Sequence, residues 1–132
     1  MTHFLKRYPY SAACVVLICY LCLKQISPTG LGRFNFPGAD KVVHWGMYFG
    51  LCLLVWTERR LNAEKRSIAH AALYAVALPL ALGGAIEIAQ EYLTAYRSGD
   101  WADFAADALG VLTALPLGLY VVPRIFKGGS IN

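Results

Sequence analysis

Four apolar runs separated by short charged connections leave this chain few ways to fold. They cover residues 8–26, 42–56, 68–92 and 104–122. A bilayer is spanned by a helix of about 17–25 mostly apolar residues. The first two runs are marginal by that measure, so their helices are expected to continue beyond the apolar core. The chain has 132 residues, of which 58% are hydrophobic and only 15% charged, with a mean hydropathy of +0.48. Soluble domains average about a quarter charged. These figures argue against a disordered chain and against an ordinary soluble enzyme. They predict an all-α membrane protein of four transmembrane helices, a single domain over residues 1–132. Pro79 and Pro116 fall inside the third and fourth helices, where a membrane helix tolerates proline as a kink.

His3, Lys6 and Arg7 precede the first run in the manner of a signal peptide. The segment after it, Gln25-Ile26-Ser27-Pro28, offers no small-x-small cleavage site, and Leu21 before Cys22 is unlike a lipoprotein signal. The expectation is an uncleaved first helix. Lysine and arginine then set the direction. Lys6, Arg7, Arg59, Arg60, Lys65, Arg66, Arg124 and Lys127 lie on one side, eight in all, against Lys24, Arg33, Lys41 and Arg97 on the other. The positive-inside rule puts both termini in the cytoplasm. The 27–41 and 93–102 connections then face outward. The net charge of +4 comes from these clusters and not from one basic face, which argues against a nucleic-acid partner.

Cys14, Cys19, Cys22 and Cys52 all lie in apolar stretches and read as small hydrophobic residues, the CxxC of Cys19 and Cys22 included. Gly46 and Gly50 form a GxxxG, Gly83 and Gly84 lie on the third helix, and Ala106, Gly110 and Ala114 form a ladder on the fourth. All are expected to let helices approach closely.

The acidic residues carry the chemistry. Glu58 and Glu64, in the basic cytoplasmic connection, read as solvated surface. The other six, Asp40, Glu87, Glu91, Asp100, Asp103 and Asp107, fall at the outer ends of helices two, three and four. Lys41, His44 and Tyr48 share one helical face, as do Glu87, Gln90 and Glu91, and again Asp100, Asp103 and Asp107. An intramembrane carboxylate costs about 2.5–3.5 kcal/mol at a helix centre. The least costly arrangement turns the three stripes toward one another, as a polar pocket at the outer ends of helices 2–4. A histidine among carboxylates suits proton transfer. His70 lacks acidic neighbours and reads as an interfacial side chain.

These residues resemble a known family. Asp40-Lys41-Val42-Val43-His44, with Tyr48 after it, is similar to the DKxxH signature of the VanZ-like membrane proteins. Glu87-x-x-Gln90, then Arg97, Asp103 and Gly110, resembles that family's E-x-x-Q, R and D-x3-N-x2-G pattern. The resemblance covers residues 40–118. Asp107 stands where the family usually has asparagine, which adds charge and changes the proton balance. The family's naming member is associated with low-level teicoplanin resistance, and members also occur with exopolysaccharide genes. It has been placed in the proposed Lipocone superfamily with phosphatidylserine synthases, where a lipid head-group reaction is inferred.

The resemblance implies an enzyme of the bacterial cytoplasmic membrane. It would act on a phosphate-linked lipid or lipid-linked envelope precursor at the outer leaflet, by head-group transfer or hydrolysis. His44 is the expected base or nucleophile, oriented by Asp103 or Glu87. Arg97 and Lys41 are expected to bind the phosphate. Asp40, Gln90, Tyr48 and Asp107 are expected to complete the substrate site. A divalent metal on Asp103, Asp107 and Glu87 would suit carboxylate oxygens, but no acidic pair has diagnostic metal spacing, so no metal ligand is assigned. The alternative is a non-catalytic membrane factor that binds a lipid-linked precursor or a glycopeptide. A small transporter or channel fits less well, because the polar residues cluster at one end of the bundle. Neither the substrate nor the oligomeric state follows from the sequence.

Overall fold

The structure, a computed structural model, describes residues 2–24, 37–62, 67–95 and 98–126, and within them it is helical with no strand. The helices are α1 (Thr2–Arg7), α2 (Pro9–Leu23), α3 (Ala39–Leu61), α4 (Ile68–Leu93), α5 (Trp101–Pro116) and α6 (Val122–Ile125). A π-helical turn, Leu117–Val121, joins α5 to α6. It follows Pro116, whose missing N–H already interrupts the helical hydrogen-bond ladder. Pro79 lies buried inside the continuous α4.

Among the described residues two helices, Ile68–Leu93 and the continuous Trp101–Ile125, are long and apolar enough to cross a membrane. α2 is apolar but has only 15 residues. α3 does extend beyond its apolar core, by three residues at its start and five at its end (39–61 against 42–56). The core joins Ile18 and Cys22 of α2 to Tyr48, Leu51, Cys52 and Trp56 of α3, with Ala75 and Ile86 of α4 and Val111 and Ala114 of α5. The buried set also holds His44, Glu58, Glu87, Gln90, Asp103 and Asp107, while Val16, Leu73, Leu78, Ile88, Leu109 and Leu112 are exposed. Ionisable groups are thus buried beside the apolar core, while other large apolar side chains form the outer surface.

The small residues divide into two groups. At Gly110 a Cβ would lie 2.4 Å from the Trp45 carbonyl oxygen, so α5 rests directly on the α3 backbone. At Gly83 a Cβ would lie 2.7 Å from Asp107 Oδ2. Gly46 and Gly50 differ from expectation: nothing lies within 4 Å of a Cβ at either. One residue further round from Trp45 and Phe49, they line an open groove against Cys14 and Ile18 of α2. A 3.6-residue period turns adjacent positions by about 100°, so the GxxxG misses the face that α5 covers.

Glu58 also departs from expectation. It is 3% exposed, not solvated. The chain breaks at Tyr8, the residue before Pro9, and α2 begins with that proline. The next two N–H groups lack helical partners, and Glu58 supplies them. Its carboxylate accepts from Tyr10 N–H at 2.7 Å, from Ser11 N–H at 2.9 Å and from the Ser11 hydroxyl. A side chain of α3 therefore caps α2. Glu58→Ala is expected to cost about 2 kcal/mol, because it leaves buried donors unpaired. Glu58→Gln, which keeps one acceptor, should cost less. Thermal unfolding in detergent measures both. An alanine variant as stable as the wild type would remove the capping role.

Candidate functional site

Three helix ends meet in this bundle. The start of α3 carries Asp40, Lys41, His44 and Tyr48. The end of α4 carries Glu87, Gln90 and Glu91. The start of α5 carries Asp103 and Asp107, with Asp100 as its N-cap. Because α3 runs antiparallel to α4, and α4 to α5, these ends lie at one level.

His44 is at the centre and 3% exposed. Its Nδ1 lies 3.0 Å from Asp107 Oδ1. Its Nε2 lies 3.7 Å from Asp103 Oδ2. The close partner of the imidazole is therefore Asp107, whereas the sequence pointed to Asp103 or Glu87. Asp103 lies between Lys41 and the ring of His44: its Oδ1 accepts from Lys41 Nζ at 3.1 Å while its Oδ2 faces the imidazole. Lys41 Nζ also reaches Asp100 at 2.9 Å and Asp40 at 3.4 Å. Lys41 and Asp100 are partly exposed, Asp40 is exposed and Asp103 is buried, so the cluster runs from the surface inward.

Glu87 is buried and ties the connection to the helix. Its Oε2 accepts from Asp100 N–H at 2.7 Å. Glu91 accepts from Gly99 N–H at 2.9 Å but is exposed, so it anchors the connection from outside. Gly99 packs against the α4 backbone, where a Cβ would lie 2.6 Å from the Glu87 carbonyl oxygen. Gln90 donates to the Cys22 carbonyl at 2.9 Å, which fixes the end of α2 to α4. Among the described residues, the Tyr48 hydroxyl, Glu87 Oε1 and Gln90 Oε1 are buried without a hydrogen-bond partner. Arg97, the expected phosphate ligand, lies outside the described residues.

Among the described residues, two sets of side chains are close enough together to hold a metal ion. His44, Glu87 and Asp107 each offer an atom within 4.8 Å of the others, and so do Asp40, Asp100 and Asp103. The first set is buried and joins an imidazole to two carboxylates, a donor set that suits a divalent cation. It differs from the expected trio by including His44 in place of Asp103. Among the described residues no cysteine belongs to either set, and Cys14, Cys19, Cys22 and Cys52 are free thiols.

Lys41 and Asp100 lie outside the apolar runs, and their charges are mutually reinforced. The bonds to Asp100 and Asp103 hold Lys41 above its ordinary 10.5, against a smaller effect of desolvation. Lys41 first, and then the Ala102 N–H, hold Asp100 below its ordinary 3.8. A depressed carboxyl contributes stability above its unfolded value and loses it as the pH falls through the folded one. A raised amine contributes fully below its unfolded value and loses it as the pH rises through the folded one. The bridge is therefore complete between 3.8 and 10.5. Thermal unfolding followed from about pH 6 down to about pH 2.5 should show a shallower acid limb for Asp100→Asn than for the wild type. Identical limbs would mean that the bridge contributes nothing.

The sequence singled out Gly83 for close packing but not for its place beside the site. Gly83 lies four residues before Glu87 and seven before Gln90, so it continues their face, and that spacing was a usable signal. The Asp107 partnership left no such signal, since spacing fixes a face but not which side chain on the opposing helix it meets. No protein-family model, no curated protein and no solved structure matches this chain.

Proposed function

We propose that the chain is a four-helix membrane enzyme that transfers or hydrolyses the head group of a phosphate-linked lipid at the outer leaflet, with His44 as its base. The observation that carries this reading is the buried His44–Asp107 pair, with Asp103 and Lys41 on the other side of the ring. A buried carboxylate on Nδ1 keeps that proton in place and leaves Nε2 as the acceptor. Buried ionisable groups and an outer surface rich in large apolar side chains suit a bundle surrounded by lipid. The resemblance to VanZ-like proteins supports the substrate class, a membrane lipid or lipid-linked envelope precursor, and a place in the bacterial cytoplasmic membrane with both termini inside. Teicoplanin resistance and exopolysaccharide metabolism are the settings that resemblance suggests.

In the hydrolytic form Nε2 takes a proton from water. The water oxygen bonds to phosphorus and the ester bond to the departing alcohol breaks. The alcohol oxygen takes the proton back from Nε2. In the transfer form an acceptor hydroxyl replaces the water. Lys41, already at the surface end of the cluster, and Arg97 would hold the phosphate oxygens. A divalent cation on His44, Glu87 and Asp107 would occupy the imidazole lone pair, so it would supply Lewis-acid stabilisation of phosphate charge in place of the base role of His44 and not beside it.

The test is lipid mass spectrometry on cells expressing wild type, Asp103→Asn, His44→Gln or an empty vector at matched protein levels. A lipid that changes with the wild type should respond at least about a hundredfold less to either variant, the usual scale of a lost acid–base group. Lipids unchanged in every arm would replace the enzyme with a non-catalytic factor that binds the precursor or a glycopeptide.

A further inference from the structure

At the opposite end of the bundle from His44, a cavity of about 480 Å³ lies among α1, α2, α3 and α4. Val15, Leu51, Val55 and Leu82 contribute to its apolar wall, and Arg7, Arg59 and His70 line one end. On each chain segment the basic residue is the outermost lining position. α2 carries the lining inward from Ser11 to Val15, α3 from Arg59 to Leu51 and α4 from His70 to Leu82. The cavity is thus graded from cationic to apolar along the bundle axis. The twelve residue steps from His70 to Leu82 span about 18 Å at 1.5 Å per residue. Half of a hydrocarbon core of about 30 Å is close to that length.

Among the basic lining residues, Arg59 is half-buried and held in place, while Arg7 and His70 are exposed. Arg59 lies with its guanidinium carbon 5.8 Å from the Trp56 ring centroid. Its Nη2 reaches the Ser67 carbonyl at 3.5 Å. We propose that this cavity holds one acyl chain of an anionic glycerophospholipid from the adjacent leaflet, with the lipid phosphate on Arg7 and Arg59. Guanidinium groups match phosphate oxygens in geometry as well as charge. Basic pockets between membrane helices are a recognised form of anionic-lipid site. The proposal rests on the membrane-spanning reading and not on the reaction at His44. The bound lipid would tie α2 to α3 and α4 at the end where Glu58 is the other link.

Native mass spectrometry of the full chain in mild detergent, titrated with dioleoyl-phosphatidylglycerol and separately with dioleoyl-phosphatidylcholine, tests it. The wild type is expected to prefer phosphatidylglycerol by about tenfold, from two cations at the phosphate. Arg7→Gln with Arg59→Gln should abolish the preference. Lys6→Gln with Arg60→Gln removes the same charge from positions that do not line the cavity, and should keep it. Leu78→Trp, at a half-exposed lining position, should weaken both lipids by filling the apolar part. Helix content and elution volume establish that each variant is folded. Should the charge-matched pair lose the preference equally, or Leu78→Trp bind both lipids as well as the wild type, the cavity site is wrong. Washing membranes with alkaline carbonate tests the spanning reading separately. Release of the chain would overturn both, and retention with no lipid preference would overturn the cavity alone.

Discussion

Gly110→Ala is expected to destabilise the protein by about 3 kcal/mol, toward the upper end of the usual cost of overpacking. The added methyl would lie 2.4 Å from the Trp45 carbonyl oxygen and 3.0 Å from the Phe49 nitrogen. Both are backbone atoms inside a helix, so no rotamer change relieves the contact. α5 must move away from α3, and that separation acts on the distances between His44 and both Asp103 and Asp107. Gly46→Ala should do the reverse. Nothing lies within 4 Å of its Cβ, and alanine is favoured over glycine in a helix by about 1 kcal/mol. Thermal unfolding of the two variants in the same detergent should therefore move in opposite directions. Equal, small shifts would mean that α3 and α5 are not in backbone contact.

These two glycines were alike as sequence features, each part of a small-residue motif at four-residue spacing. Spacing says which positions share a face. It does not say which face another helix covers, and here Gly110 faces α3 while Gly46 faces a groove. The same limit applies at the site. The periodicity of Lys41, His44 and Tyr48 and of Asp100, Asp103 and Asp107 was legible, and the structure brings the two stripes together. The pairing within them was not, because it depends on the rotation and axial shift of α5 against α3. A shift of one turn would exchange Asp103 and Asp107 as the partner of His44. Glu58 was misread for a different reason. A charge among four basic residues looks solvated, and only the three-dimensional approach of α2 shows that its carboxylate is needed there. Helix existence was the most legible feature, since it follows from apolar run length. The helix ends were less so, and the one-turn extension of α3 at its start includes Asp40 and Lys41.

Removing the partner of His44 should produce the largest functional effect. For the proposed reaction, Asp107→Ala is expected to lower turnover by about a hundredfold or more, the scale on which orientation of a catalytic histidine acts. Asp107 Oδ1 is 3.0 Å from Nδ1, and the carboxylate is 1% exposed, so no solvent replaces it. Without it the imidazole proton can sit on either nitrogen, and the Nε2 lone pair is no longer reserved for the substrate. Asp107→Asn keeps a carbonyl oxygen where Oδ1 stands, if the amide nitrogen turns toward Gly83. Its loss should be smaller, about tenfold, from the missing negative charge beside the developing imidazolium. Nitrogen-15 spectra of the imidazoles, with His44 assigned by His44→Gln, read the same question without an assay. The wild type and Asp107→Asn should carry the His44 proton on Nδ1, and Asp107→Ala should show a mixture of tautomers. If alanine leaves both the tautomer and the turnover unchanged, Asp107 does not orient His44. The polar cluster would then be a scaffold around Lys41, and the base would have to be sought among Asp103 and Glu87. Equal losses in the alanine and asparagine variants, with the tautomer intact in both, would instead assign the effect to charge.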